Sequence, residues 1–371
     1  MAGQAFGETI IIGAGQAGLS AAFCLQDKDV PCRVLEAGES PGNSWRGRWD
    51  SLRLFTPGLR CSLPGMEFPG SSRGLPTKDQ VVSYLESYAA QLPVTTGVCV
   101  TGIHLAGETD RGPEGKGWTL ETTEGDLAAS NVVIATGATS VPFVPDLAAK
   151  ISPSILQLHS SRYRNAAQLP VGGVLVVGAG TSGLQIAVEL AQHRQVWLAG
   201  RVPFHIPDAV LRYAGGPYWQ FIDKVLTRST PLGRKVAKDF TAQGGPLISV
   251  SIEDALGAGV RCLPRFEDVD EAGEPTFPHE PALAVSTVLW ATGYQPGYGW
   301  IEGLPVDARG WPVTNHGEVC TLPGLYFVGL PFQYGLTSAL LGGVGRDAAM
   351  VAHSIAKRER KRLRPQDAHR L

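Results

Sequence analysis

Residues 9–36 read TIIIGAGQAGLSAAFCLQDKDVPCRVLE, and this stretch decides the fold. The apolar run Thr9–Ile12 is typical of a buried parallel strand, and an alanine-rich helix is predicted to end near Gln26. Between them lies a G-x-G-x-x-G turn over residues 13–18, and a second apolar run, Cys32–Leu35, ends in Glu36. This order of strand, turn, helix, strand and acid predicts a Rossmann-like unit that binds a dinucleotide.

Each part of the stretch has a physical role in holding the dinucleotide. Gly13 permits the tight turn, Gly15 lets the pyrophosphate approach the backbone, and Gly18 lets the helix pack close to the strand. The helix N-terminus offers unpaired N–H groups and a partial positive charge to the phosphates. Glu36 can accept hydrogen bonds from a ribose 2′-hydroxyl and would repel a 2′-phosphate. We therefore expect FAD or NAD here rather than NADP; the alternative is a purely structural glycine turn.

Length and composition exclude several classes of function. The 371 residues suffice for two or three domains, and a net charge of -2 gives no reason to expect a nucleic-acid partner. We see no run of about 18 uncharged apolar residues that would span a membrane. No positive residue precedes Lys28, so no signal peptide is visible. The 6 cysteines form no C-x-x-C and show no metal-ligand spacing, which favours reduced thiols in a cytoplasmic protein without a metal site.

The opening pattern occurs a second time, offset by 165 residues. Val174–Val177 is predicted as a strand, residues 178–183 repeat the glycine turn, and Leu184–His193 is predicted as a helix. The segments GAGQAGLSAAFCLQ and GAGTSGLQIAVELA match at 7 of 14 positions. The next strand, Gln195–Ala199, is followed by Gly200-Arg201 instead of an acid. An arginine there can pair with a 2′-phosphate, which favours FAD at the first turn and NADPH at the second. The alternative is that Arg201 is only solvent-exposed.

The segment after Glu36 is a long loop rich in glycine and proline. No regular element fits residues 38–76, and loops of this length in a compact domain are usually functional. Its aromatic and arginine side chains, among them Trp45 and Arg46, are expected to cover a flavin and its phosphates. The alternative is an aromatic-anchored loop that packs on itself.

The rest of the chain predicts scaffold elements and two further cofactor turns. Thr77 and Gln80 form a capping box that opens a helix, and alternating segments between residues 97 and 128 predict a small antiparallel meander. Buried strands are predicted at Asn131–Ala135, Val285–Trp290 and Leu325–Val328, and helices within 202–244. The glycine-rich segment 333–345 precedes a last helix from about Arg346, which makes it a second candidate for flavin contacts.

Residues 152–170 are interpreted as a connector that carries the two catalytic candidates, His159 and Tyr163. A lone histidine is more often structural than catalytic, and no acid–base side chain is strictly demanded when the cofactor carries the chemistry. The residues expected to contact the two cofactors are Gly13, Gly15, Gln16, Ala17, Gly18, Glu36, Ala37, Trp45, Arg46, Leu52, Val100, Ala135, Thr136, Gly137, Gly178, Gly180, Thr181, Ser182, Gly183, Arg201, Ala291, Thr292, Gly293, Gly329 and Gln333.

Taken together, these motifs resemble the flavin-containing monooxygenase family, including its CzcO-like proteins and indole-pyruvate monooxygenases. The resemblance is carried by the two glycine turns, by Ser44-Trp45-Arg46, by Leu158-His159-Ser160 with Tyr163, and by Ala291-Thr292-Gly293-Tyr294. It implies an α/β fold with two Rossmann-like dinucleotide-binding domains, the second inserted in the first, and a small antiparallel β-meander. The FAD domain would comprise residues 1–168 and 284–371, and the NADPH domain residues 169–283.

The resemblance implies an NADPH-dependent flavoprotein monooxygenase. Hydride from NADPH would reduce FAD, and reduced FAD would activate O2 as a C4a-(hydro)peroxyflavin that oxygenates a small organic substrate. The family signature F-x-G-x-x-x-H-x-x-x-Y/F survives here only as His159 and Tyr163, with Pro153 and Ile155 at the first two positions.

That departure leaves two other functions open: an NADPH oxidase or electron-transfer reductase without oxygen insertion, and a non-enzymatic flavin- or NADPH-binding sensor. The missing C-x-x-C argues against disulfide reduction. A homodimer is left open, and the sequence does not specify an amine, sulfide, ketone or 2-oxo acid substrate.

Overall fold

The two glycine turns each lie in a five-stranded parallel sheet. The computed structural model describes residues 8–70, 74–106, 117–243 and 245–363. The strands are β1 (Thr9–Ile12), β2 (Cys32–Glu36), β3 (Val94–Thr96), β4 (Val100–Leu105), β5 (Trp118–Thr122), β6 (Leu127–Ala129), β7 (Asn131–Ile134), β8 (Val141–Pro142), β9 (Leu156–His159), β10 (Gly173–Val177), β11 (Val196–Ala199), β12 (Arg261–Leu263), β13 (Asp268–Val269), β14 (Pro275–Thr276), β15 (Val285–Trp290), β16 (Tyr294–Gln295) and β17 (Leu325–Phe327). The α-helices are α1 (Gln16–Gln26), α2 (Asn43–Arg46), α3 (Lys78–Ala89), α4 (Thr181–Ala191), α5 (Asp208–Val225), α6 (Pro231–Gln243), α7 (Ile252–Gly257) and α8 (Val344–Leu363).

The first sheet has the order β17-β7-β1-β2-β3, and the second has the order β12-β11-β10-β15-β9. All pairings within both sheets are parallel. In each sheet the strand that enters the glycine turn lies at the centre, because its apolar residues are covered on both faces. The α/β fold with two Rossmann-like units is therefore confirmed.

The first unit packs α1 and α8 against its sheet. Alanine and glycine in α1 leave room for this close approach, and eight of its residues are buried. The predicted capping box of α3 is present: the Gln80 N–H donates to Thr77 Oγ1 at 3.3 Å, and the Thr77 N–H donates to Gln80 Oε1 at 2.9 Å. The predicted meander is also present as the antiparallel sheet β4-β5-β6.

The second sheet extends beyond the predicted boundaries of the NADPH unit. Strands β9 and β15 pair with each other and, through β15, with β10, although the boundaries at 168 and 284 assign both to the first unit. Residues 152–170 are therefore more than a connector, and the boundaries need correction. The local pattern could not show this, because β9 precedes the glycine turn of its own sheet and is joined to it only by tertiary pairing.

The chain passes between the two units twice, and the two passages run side by side. Strand β8 leaves the first sheet and β16 leaves the second, and they pair antiparallel through Val141–Gln295 and Pro142–Tyr294. This narrow ribbon joins the two units.

None of the helices in the described residues combines the length and the apolar composition that a membrane span requires. The same residues contain no cluster of three or more side chains suited to a metal ion. All six cysteines are unpaired, three of them buried.

Candidate dinucleotide and substrate sites

The two glycine turns have the same geometry. Gly13 has φ +104° and Gly178 has φ +112°, a region that favours glycine. A Cβ on Gly18 would lie 1.8 Å from the Gly13 carbonyl oxygen, and a Cβ on Gly183 would lie 1.8 Å from that of Gly178. These glycines are required for each helix to pack on its strand, as predicted.

The middle glycine of each turn faces open space. A Cβ added to Gly15 or Gly180 would meet no protein atom within 4 Å. Each of the two is also the N-cap of its helix, and neither helix has a side-chain cap or an acidic residue in its first turn. Unpaired N–H groups beside open space fit a pyrophosphate, so the residues present fit two dinucleotides.

The strand ends beside the two turns carry different charges. Glu36 Oε2 accepts from the Ala14 N–H at 2.7 Å and Oε1 accepts from the Gly38 N–H at 2.9 Å, which fixes the carboxylate at the mouth of the first turn. In the second unit Gly200, with φ +144°, turns the chain, and Arg201 is exposed. Within residues 8–70, 74–106, 117–243 and 245–363, Arg201 has no hydrogen-bond or ion-pair partner for its guanidinium.

The loop after Glu36 reaches the first glycine turn through Trp45. Its Nε1–H donates to Gln16 Oε1 at 3.0 Å, and Gln16 Nε2 donates to the Ala339 carbonyl at 3.4 Å. The N-terminus of α1 thus meets both the loop and the glycine-rich segment before α8. Arg46 lies apart from this cluster, because its guanidinium binds Glu86 of α3 at 2.6 Å.

The other residues predicted to contact the first cofactor lie either after β7 or near the end of β2. Ala135, Thr136 and Gly137 follow β7 beside Gly13, and a Cβ on Gly13 would lie 2.7 Å from the Ala135 carbonyl oxygen. Ala37 follows Glu36 and is exposed, and Val100 opens β4 two residues after Val98, whose N–H donates to the Glu36 carbonyl at 3.0 Å.

Three other residues that were predicted to contact the cofactor form contacts with protein atoms. Gln333 is buried, and its amide binds the Phe327 carbonyl at 2.8 Å and the Leu330 N–H at 3.3 Å. Leu52 lies in the hydrophobic core, and Gly329 packs against Ala17, where an added Cβ would be 2.9 Å away. The cofactor roles of Gln333, Leu52 and Arg46 receive no support from these contacts and stay predictions.

Ala291, Thr292 and Gly293 follow β15 and lie beside the second turn. A Cβ on Gly178 would be 2.3 Å from the Ala291 carbonyl oxygen, which repeats the relation between Gly13 and Ala135. Thr181 and Ser182 form the first turn of α4 and are half-buried. The predicted residues of the second site are therefore brought together.

His159 lies at the ribbon that joins the two units. Its Nδ1 accepts from the Ser161 N–H at 3.1 Å, so Nε2 carries the proton and donates to the Gly293 carbonyl at 3.0 Å. Burial lowers the pKa of this imidazole, the bond to Gly293 raises it, and the positive charge of Arg48 lowers it. A neutral His159 therefore holds the end of β9 against the turn after β15.

Tyr163, the other catalytic candidate, is fully buried. Its hydroxyl donates to Glu189 Oε1 at 2.8 Å, and burial is the main reason that its pKa is raised. These three hydrogen bonds of His159 and Tyr163 all join them to other parts of the protein scaffold. Their catalytic role stays a prediction, and the contacts that the structure gives them are structural.

An apolar cavity of about 270 Å³ lies between the units. It is bounded by the second glycine turn at Gly180 and Thr181, by Trp219 and Ile222 of α5, and by Leu336 of the segment before α8. The charged residues of the described chain do not line it. Residues 204–250 and 330–340 supply most of its lining.

A second, polar cavity of about 170 Å³ shares Trp219 and Thr337 with the first. Asp223 of α5 accepts from Thr337 Oγ1 at 3.1 Å and lies 3.6 Å from Arg60. Arg346 of α8 donates to the Asp223 carbonyl at 3.0 Å and lies 4.1 Å above the Tyr334 ring. Sequence reasoning missed this network, because its members come from three distant parts of the chain, at residues 60, 223 and 334–346.

Comparison with known proteins agrees with this geometry. Residues 10–204, more than half of the chain, match the model of the pyridine nucleotide-disulphide oxidoreductase family. An uncharacterized CzcO-like oxidoreductase of Geobacillus kaustophilus is 36% identical over 354 residues, which cover 94% of this chain and 98% of the relative. An indole-3-pyruvate monooxygenase of Oryza sativa subsp. japonica is 29% identical, covering 96% and 93% of the two chains.

The solved structure of a flavin-containing monooxygenase from Stenotrophomonas maltophilia superposes with a TM-score of 0.73. It is 24% identical, and the match covers 94% of this chain and 98% of that one, which supports the fold. Family model, relatives and fold agree with the resemblance in the motifs. The chain therefore belongs to the flavin-containing monooxygenase family of oxidoreductases, with the CzcO-like proteins among its relatives.

Proposed function

We propose that the protein is an NADPH-dependent flavin monooxygenase that binds FAD at the first glycine turn and NADPH at the second. The observation that carries the proposal is the pair of matched turns with opposite strand ends: Glu36 at the first and Arg201 at the second. A carboxylate suits a ribose diol, whereas an unpaired guanidinium suits a 2′-phosphate.

The chain's own residues would bind and orient the two dinucleotides. Gly15 and Gly180 leave the space for each pyrophosphate, and the uncapped helices α1 and α4 present N–H groups to it. Glu36 is already fixed by two backbone N–H groups, so little reorganisation would accompany ribose binding. When bound and reduced, FAD supplies the activation of O2.

The apolar cavity between the units supports a small organic substrate. Trp219, Ile222 and Leu336 would exclude water from the reacting centre, which lowers the local dielectric and limits hydrolytic side reactions. Among the side chains that line it, Thr181, Tyr218 and Thr337 carry hydroxyls, and Trp219 carries an indole N–H. The substrate would therefore be held chiefly by burial of apolar surface.

The test is anaerobic reduction of the purified flavoprotein by NADPH, followed by rapid mixing with O2 while absorbance is recorded. A long-lived band distinct from oxidised flavin, with an oxygenated product when substrate is present, is the expected result. Direct return to oxidised flavin with stoichiometric peroxide would instead favour the oxidase or reductase. Failure of NADPH to bleach the flavin would favour a sensor.

A further inference from the structure

The register of the two sheets allows their strand ends to be compared residue by residue. Ile12 pairs with Leu35 in the first sheet, and Val177 pairs with Ala199 in the second. Since Ile12 and Val177 both precede a glycine turn, Leu35 is equivalent to Ala199. Glu36 is then equivalent to Gly200, and the residue after it, Ala37, is equivalent to Arg201.

The neighbouring edge strands β3 and β12 are equivalent in the same way. Leu35 pairs with Thr95 of β3, and Ala199 pairs with Leu263 of β12. Two residues further along, Gly97 of the first unit is therefore equivalent to Arg265 of the second. The Gly200 N–H donates to the Leu263 carbonyl at 3.4 Å, so the two chain segments still lie side by side where they leave the sheet.

Arg265 is thus the second arginine at this edge of the sheet. Arg201 and Arg265 both follow carboxyl ends of adjacent parallel strands, and both are exposed. Among the residues that the structure describes, neither guanidinium has a hydrogen-bond or ion-pair partner, although Glu267 and Asp268 follow Arg265 in the chain. The equivalent positions of the first unit, Ala37 and Gly97, carry no charge.

Two unpaired arginines on adjacent strand ends offer positive charge and several N–H donors to an anion. A ribose phosphate monoester carries close to two negative charges and three acceptor oxygens, and guanidinium groups bind such oxygens in bidentate geometry. One arginine can satisfy only part of that group. We propose that Arg265 is a second ligand of the NADPH 2′-phosphate and that Arg201 and Arg265 together determine the preference for NADPH over NADH.

This inference rests on the proposed NADPH site, so the test measures binding and is independent of turnover. The FAD-loaded full-length protein is titrated calorimetrically with adenosine 2′,5′-bisphosphate and with 5′-AMP, which differ by the 2′-phosphate. The variants are Arg265→Ala, Arg201→Ala and Arg265→Lys. Arg261→Ala is the matched control, because Arg261 opens the same strand β12 but is paired with Glu280 at 2.7 Å.

We expect Arg265→Ala to weaken binding of the bisphosphate by about 10-fold or more, as for loss of a hydrogen bond to a charged group, and to leave 5′-AMP unchanged. Arg265→Lys should show an intermediate loss, since it keeps the charge but not the bidentate geometry. Arg261→Ala should bind both ligands like the wild type.

Three results would overturn the inference, and they are distinguishable. If Arg201→Ala loses the bisphosphate preference but Arg265→Ala keeps it, the 2′-phosphate site is real and Arg265 is not part of it. If the wild type does not distinguish the bisphosphate from 5′-AMP, the proposed NADPH site fails together with the arginine pair. Equal loss of both ligands in Arg265→Ala would also count against a 2′-phosphate contact.

Discussion

The two sheets of this protein have the same spatial order but a different order along the chain. Strands β17, β7, β1, β2 and β3 of the first correspond in position to β9, β15, β10, β11 and β12 of the second. The outer strand comes last in the first unit, whereas β9 comes before the rest of the second sheet. A parallel sheet accepts either order, because pairing depends on where a strand lies and not on when it occurs.

The two units differ most at the ends of their strands. The two glycine turns share the same steric constraint: a Cβ added to Gly18 or Gly183 would lie 1.8 Å from the carbonyl oxygen of the first glycine of its turn. The strand ends carry Glu36 in one unit and Arg201 in the other. Both units therefore have the same backbone geometry for a pyrophosphate, and they differ in a few side chains at the sheet edge that would distinguish the two ligands.

The largest expected effect comes from adding a side chain at the middle glycine of either turn. Gly15→Val should abolish bound FAD, because the new side chain fills the space of the pyrophosphate. Gly180→Val should keep the flavin and slow its reduction by NADPH by about 100-fold, through loss of several charge-assisted hydrogen bonds. Flavin content by absorbance and stopped-flow reduction measure both. Loss of flavin in Gly180→Val would contradict the assignment of separate sites.

The next prediction concerns α8, which follows β17 in the first unit and has no equivalent after β9. Asp347 is buried in its first turn, and burial raises its pKa to about 7, against the lowering effects of the Ser338 hydroxyl and of Arg346. Because the folded pKa exceeds the unfolded value, stability falls as pH rises from about 4 to 7 and stays reduced above that.

Asp347→Asn should therefore stabilise the protein at pH 8 by on the order of 2–4 kcal/mol and change little at pH 4. Urea unfolding at both pH values measures the difference. Asp126→Asn, at an exposed position between β5 and β6, is the control for removal of a carboxylate. An Asn variant equally stable at both pH values, relative to the wild type, would mean that Asp347 is charged in the folded protein.

Arg201→Ala tests the opposite charges at the strand ends. It should raise the KM for NADPH about 10-fold or more and spare NADH, because a charge-assisted phosphate contact contributes roughly 1.5–3 kcal/mol. Steady-state kinetics with both nucleotides measure the ratio. Arg46→Ala, which removes an arginine already paired with Glu86, should leave both KM values unchanged. Equal effects of Arg201→Ala on the two nucleotides would remove the 2′-phosphate role.

The smallest expected effect concerns Tyr163. Tyr163→Phe removes the hydroxyl that donates to Glu189 and should cost about 1 kcal/mol of stability. The rate of flavin reduction should remain within twofold of the wild type. Chemical denaturation and stopped-flow absorbance measure the two quantities. A tenfold slower reduction with unchanged stability would restore Tyr163 as a catalytic residue.

Local sequence predicted the parts of the fold that depend on neighbours in the chain. The capping box at Thr77, the meander and both strand-turn-helix units follow from turn chemistry and from the periodicity of apolar residues, so they were confirmed. The edge strand β9 was missed, and the boundaries at 168 and 284 with it. One of its four residues is exposed, two are half-buried and His159 is buried, and nothing in this pattern identifies β15 as the partner strand.

The residues of the candidate site also fall into those that local sequence predicted and those that it did not. Gly15, Gly180 and Glu36 were predicted because their roles depend on a short motif. The apolar cavity and the network of Arg60, Asp223 and Arg346 were not, since each member contacts residues more than 100 positions away. Likewise, only tertiary contacts show that Arg46 binds Glu86 and that Gln333 is used within its own turn.

By itself, the sequence determined that this protein has two dinucleotide turns and that a carboxylate follows one and an arginine the other. Those features are local, because glycine geometry and helix N-termini act within about ten residues. Only the tertiary structure decided which strands complete each sheet and which side chains meet between the units. It alone brought Arg265 beside Arg201, because the pairing of β11 with β12 joins residues 64 positions apart.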